Sequence, residues 1–83
     1  MNKRVNLSAQ AQADLAELDR ATALRVLNKI YRFASTGAGN VTGLHHIHPP
    51  EFRLRVGQWR VRFHDRGEWI DVLRVRNRPD AYS

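Results

Sequence analysis

Eighty-three residues suffice for one domain, 1–83, with a single core and little stability to spare. The absence of cysteine excludes disulfides and thiolate metal sites, and no apolar run is long enough to span a bilayer. Fourteen Lys and Arg against eight Asp and Glu give a net charge of +6, and twelve of the fourteen are Arg, which points to nucleic acid or an acidic protein as partner.

Nothing at the start of the chain reads as a secretory signal, so a cytoplasmic location is expected. Residues 3 to 7, "KRVNL", alternate weakly and suit a short first strand. Ser8 is a helix N-cap, and "AQAQADLAELD" then sets Ala11, Leu15 and Leu18 at helical spacing. Asp19 caps a second helix, whose apolar stripe is read as Leu24, Leu27, Ile30, Tyr31 and Ala34, with Arg25, Lys29 and Arg32 facing out. "STGAGN" ends that pattern, and Ser35 to Glu51 shows no clear periodicity, with Val41, Leu44 and Ile47 expected to pin it to the core.

The remainder reads as sheet. In "FRLRVGQWRVRF", residues 52–63, Phe52, Leu54 and Val56 point one way and Arg53 and Arg55 the other; after a turn at Gly57-Gln58, Trp59, Val61 and Phe63 alternate with Arg60, Arg62 and His64. "DRG" at 65–67 predicts a second hairpin, and Glu68 to Arg76 a last strand. In that strand Trp69-Ile70 and Val72-Leu73 break the alternation, which implies a bulge or partial cover on both faces. The predicted architecture is α+β, in the order β-α-α-β-β-β, with a helical hairpin on one face of a small antiparallel sheet.

The opposite sheet face should collect Arg53, Arg55, Arg60, Arg62 and His64. Like charges facing one another across strands destabilise a sheet unless anions come to them. Single-stranded RNA suits such a face, with arginines along its backbone and rings such as Tyr82, Trp69 or Trp59 stacking on bases. Duplex DNA suits it less, because no helix carries the basic residues in a groove-reading pattern. "HHIH" at 45–48 invites a metal reading, but only His64 is available as a more distant ligand, so loop histidines and no cofactor are expected.

The order "AQADLAELD…ALRVLNKIYRF…GLHHIHPPEFRLRVGQWRVRFHDRGEWIDVLRVRNRPDAY" resembles the RelE/ParE superfamily of toxins from type II toxin–antitoxin modules. "LRVGQWRV" is similar to the family's Leu-Arg-x-Gly-x-Tyr-Arg stretch and "VLRVRNRPDAY" to its closing Arg-x-x-x-Tyr. In the RelE branch the resemblance implies an mRNA interferase that cuts ribosome-bound message, a 2′-hydroxyl attacking the adjacent phosphate. Arg60 then resembles the arginine that binds the scissile phosphate, Arg78 the arginine at the C-terminal strand end, and Tyr82 the ring that stacks on or activates the substrate. Arg53 and Arg55 fall where relatives contact the RNA backbone, and Arg62 joins them. An arginine is a poor general base, which leaves His64, Glu51, His48 and Tyr82 open for that role, His64 having the best-suited pKa. The ParE branch shares the fold and implies instead a protein that poisons DNA gyrase. Either branch implies an acidic, partly disordered cognate antitoxin.

Overall fold

The computed structural model describes residues 2–77 of the chain. Its elements run β1 (Arg4–Leu7), α1 (Ala9–Ala16), α2 (Arg20–Thr36), β2 (Asn40–Leu44), β3 (Glu51–Val56), β4 (Trp59–Asp65) and β5 (Trp69–Asn77). The two helices lie on one face of a five-stranded sheet with strand order β1-β5-β4-β3-β2. The expected helical hairpin on a sheet is present, with two additions. The aperiodic segment supplies β2, antiparallel to β3, and β1 pairs with β5 in parallel, so the sheet is mixed.

Both expected caps form. The Ser8 hydroxyl accepts from the Ala11 N–H at 3.0 Å, and Asp19 accepts from the Thr22 N–H at 3.1 Å. The helix α2 stops at Gly37, whose φ of 80° no β-carbon tolerates well, and whose N–H donates to the Phe33 carbonyl. The stripe read from α2 needs correction. Val26, Ile30 and Ala34 are its buried line, flanked by Ala23, Leu27 and Phe33, whereas Leu24 and Tyr31 are about half exposed. At 100° per residue Leu24 sits almost opposite Val26, and Tyr31 is turned about 100° from Ile30, onto the outer side of the helix. In the β2 segment Val41 packs on the core as expected, but Ile47 is exposed.

The core lies between the helices and the inner sheet face, where Leu54, Val56, Val61, Phe63, Ile70, Val72 and Val75 meet Ala11, Leu15, Val26, Ile30 and Ala34. Phe63 is its centre, stacked on Phe52 at 5.6 Å and tilted against Phe33 at 5.3 Å. The break in β5 alternation is a bulge: Arg62 pairs with Arg74, but Phe63 pairs with Val72, which leaves Leu73 as the extra residue. Ser8 holds it, with its N–H on the Val72 carbonyl and its hydroxyl on that of Leu73. The bulge keeps Val72 and Val75 both on the core side and so turns Arg74 and Arg76 to the outer face.

Candidate functional site

Strand register sets six arginines in two rows on the outer face. Arg53, Arg62 and Arg74 form one row across β3, β4 and β5; Arg55, Arg60 and Arg76 form the next. Adjacent strands lie about 4.8 Å apart and same-face neighbours about 7 Å apart, so the charges crowd. Arg74 and Arg76 were not among the residues singled out from sequence. Their signal, "RVR" after Leu73, was hidden by the bulge that reverses the apparent face of everything beyond it.

Two of the six arginines are neutralised by built-in carboxylates. Glu51, itself buried, takes two hydrogen bonds from Arg62, at 2.9 and 2.8 Å. Those bonds hold its carboxyl below the usual range against the burial that raises it, with the charges of Arg62, Arg53 and His64 adding to the lowering. Asp14 on α1 binds Arg74 at 2.9 and 3.2 Å and accepts the Val75 N–H at 2.9 Å, capping β5 where β1 has ended. Burial works to raise the Asp14 carboxyl, yet the bonds from Arg74, Val75 and Gln10 outweigh it and keep the group ionised.

Arg60 is different. It is only 7% exposed, and its Nη1 is buried with no hydrogen-bond partner among the described residues. Burying a guanidinium costs several kcal/mol, on the order of an ion's effective desolvation penalty, unless an anion meets it. Arg60 lines a cavity of about 170 Å³ with Arg53, Arg55, Asn40 and Thr42. Water occupies about 30 Å³ a molecule, so the space admits a tetrahedral anion. Three arginines and two short polar residues, from β2, β3 and β4, form its lining. The strand missing from the sequence reading thus supplies one wall of the site, through Asn40 opposite Arg55 and Thr42 opposite Arg53.

The structure therefore brings Arg53, Arg55 and Arg60 together, and sets Arg62 beside them but bound to Glu51. It does not bring His64 into the cavity. His64 lies four residues along β4 from Arg60, about 13 Å by strand rise, near Arg66 with which its Nδ1 is 3.4 Å from Nη2. It borders another depression with His45, Pro49, Pro50 and Phe52. His48 is exposed in the loop before β3, and Glu51 is occupied by Arg62. Arg78 and Tyr82 lie outside the described residues. Trp59 is half-buried against the core, while Trp69 is on the outer face at the far end of β5. Among the described residues no group of three or more His, Asp or Glu side chains is placed to hold a metal ion, and no helix is long and apolar enough to cross a membrane.

Two helices packed on one face of a five-stranded mixed sheet, in this element order, make the RelE-like fold. The family model for the ParE toxin of the type II toxin–antitoxin system, parDE, matches residues 5–82, and the chain belongs to this family, within the RelE/ParE superfamily. It is a toxin of a type II toxin–antitoxin system. Among solved structures it is similar to the archaeal RelE–RelB complex from Pyrococcus horikoshii OT3, at 22% identity and a TM-score of 0.75, covering 94% of this chain and 97% of that one. It is also similar to the RelB–RelE antitoxin–toxin complex from Methanococcus jannaschii, at 18% identity and a TM-score of 0.74, covering 93% and 94%. At these identities the likeness is one of fold. No curated protein sequence matches the chain significantly.

Proposed function

We propose that this toxin is a metal-independent mRNA interferase whose arginine cavity binds the scissile phosphate. The observation that carries the reading is the buried Arg60, its Nη1 without a hydrogen-bond partner among the described residues, at a cavity that Arg60 lines with Arg53 and Arg55. In the reaction the 2′-oxygen forms a bond to phosphorus while the bond to the 5′-oxygen breaks, and negative charge gathers on the non-bridging oxygens. A donor already fixed and already desolvated stabilises that charge without reorganising; one such donor is worth about 2.7–4 kcal/mol, or 10²–10³ in rate. Arg62, held by Glu51, and Arg55, which donates to the Gly57 carbonyl at 3.4 Å, flank the cavity and contact the neighbouring backbone.

The proton leaving the 2′-hydroxyl and the one reaching the 5′-oxygen need groups that the cavity itself lacks among its described residues. Asn77 ends β5 opposite Trp59, one residue from Arg60. Tyr82 follows five residues later in sequence, within a reach of about 17 Å. Arg78 and Tyr82 are assigned to complete the site, Arg78 on phosphate and Tyr82 on the base or the proton. His64 is too far along β4 to serve the same phosphate. The toxin acts on ribosome-bound message in the cytoplasm and is silenced by a cognate acidic antitoxin, in keeping with the two similar structures, each a toxin bound to its antitoxin.

The second reading, a ParE-type toxin that poisons DNA gyrase, is favoured by one observation. No acid–base side chain among the described residues lines the arginine cavity, and a protein-binding toxin needs none. A paired assay separates them: purified toxin in a translating extract and with gyrase on supercoiled DNA. Message cut in the extract with gyrase unaffected supports the interferase; intact message beside trapped gyrase–DNA cleavage complexes overturns it.

A further inference from the structure

The outer face carries a second aromatic and basic feature at its opposite end. Trp69 begins β5 with its ring on that face, since Ile70 and Val72 point into the core. Its indole N–H donates to Asp71 Oδ1 at 3.1 Å, and Asp71 also accepts from Asn6 at 3.2 Å and from Arg66 at 3.2 Å. Three donors on one carboxylate, from β1, the β4–β5 turn and β5, fix the ring in place. Arg4 is the residue paired with Trp69 across the parallel β1–β5 contact. It is exposed, and its guanidinium makes no hydrogen bond or ion pair among the described residues. Arg4, Asn6 and Trp69 together line a shallow depression of about 270 Å³.

We infer that this depression is a nucleobase subsite for single-stranded RNA: one base stacks on Trp69 and the adjoining phosphate is held by Arg4. The inference rests on the RNA reading of the arginine cavity and extends it. The two sites share one sheet face. Arg60 pairs with Arg76, and Trp69 lies seven residues back along β5, on the order of 20 Å away. Between them the surface presents Arg62 and Arg74, each bound to its carboxylate, then His64 paired with Asp71. A strand gripped at the Arg60 cavity and running along β4 and β5 meets a fixed ring with a free cation beside it, the pairing that sequence-tolerant single-strand sites use. The ring is held by its own hydrogen bond, so little side-chain freedom is lost when a base stacks on it.

The test uses the full chain and two oligouridylates, the dinucleotide UpU, too short to bridge the two sites, and one of about 16 nucleotides, the upper span of single-strand sites. The short one occupies the Arg60 cavity alone; the long one reaches both sites. Trp69→Ala is expected to weaken the long oligomer roughly five- to 150-fold, the range for one base–aromatic stack, and to leave the short one unchanged. Trp69→Phe, which keeps a ring, restores most of the loss and guards against a folding artefact. Arg4→Gln lowers the slope of log affinity against log salt by about 0.7, one phosphate contact on a single strand. Equal affinity of wild type and folded Trp69→Ala for the long oligomer, with Arg60→Ala defective for both, overturns the subsite and leaves the RNA reading standing. Failure of wild type to bind either oligomer overturns both.

Discussion

Glu51 and Arg60 show how the same face neutralises one buried charge and leaves another without a partner among the described residues. Glu51 is ionised because Arg62 donates to both of its oxygens, which outweighs its burial. A carboxyl whose folded pKa lies below its unfolded value near 4.3 adds stability above that value and loses it as pH falls through the folded one. Wild type is therefore expected to weaken as pH drops below about 4.5, followed by urea unfolding at a series of pH values. Glu51→Gln should cost about 1–3 kcal/mol near neutrality, and its stability should fall less on acidification. A pH profile parallel to wild type would show that Glu51 gains nothing from Arg62. Arg60 has no such partner among the described residues, and inorganic phosphate or sulfate at millimolar levels should raise the melting temperature of wild type more than that of Arg60→Ala. Equal shifts would place the anion elsewhere.

Among the elements, α1 and the β5 bulge act as one unit. Ser8 caps the helix and binds Leu73, and Asp14, less than two turns on, caps Val75 and pairs Arg74. Ser8→Ala should cost about 1–2 kcal/mol, the upper part of the capping range, because two bonds go at once; a loss of a few tenths by urea unfolding would contradict the shared role. Helix α2 supplies the contrast. Ile30→Ala, at a fully buried site, should cost about 2–5 kcal/mol, whereas Leu24→Lys should stay within about 0.5 kcal/mol. Were Leu24→Lys as damaging as Ile30→Ala, the exposed side of α2 would be wrongly placed. These elements also mark what the sequence made legible. Caps, turns and the β3–β4 alternation are local signals and were readable from Ser8, Asp19, Gly57 and "FRLRVGQWRVRF". The stripe of α2 was misread because Leu24 and Tyr31 are apolar in composition but lie off the line that packing selects. The strand β2 was missed because "NVTGL" has too few apolar residues to show a period, and its pairing with β3 is a tertiary fact.

At the scale of the whole molecule, the basic excess is not spread evenly. The helices bury one sheet face, and the other keeps two rows of arginine, with Glu51 and Asp14 neutralising Arg62 and Arg74. That leaves the uncompensated positive charge near Arg55, Arg60 and Arg76, at the end of the sheet where β5 runs out. From sequence, the alternation located the face, and the family resemblance singled out Arg60, which the structure buries at the arginine cavity. The cavity could not be read, since it needs Asn40 and Thr42 from β2, a strand that only its pairing with β3 reveals. Arg78 and Tyr82 lie outside the described residues, and their place in the site is part of the proposal, resting on their motif and on Asn77 ending β5 opposite Trp59.

The most direct measurement of the central claim is the chemistry of the cut ends. Message recovered from a translating extract after brief exposure to toxin is mapped by primer extension, and its ends are typed enzymatically, with and without chelator. Attack by the 2′-hydroxyl at a phosphate held by Arg60 should leave a 2′,3′-cyclic phosphate upstream and a 5′-hydroxyl downstream, unaffected by chelator, with Arg60→Ala slower by about 10²–10³. Uncut message, a 5′-phosphate downstream, or a folded Arg60→Ala that cuts at the wild-type rate would contradict it.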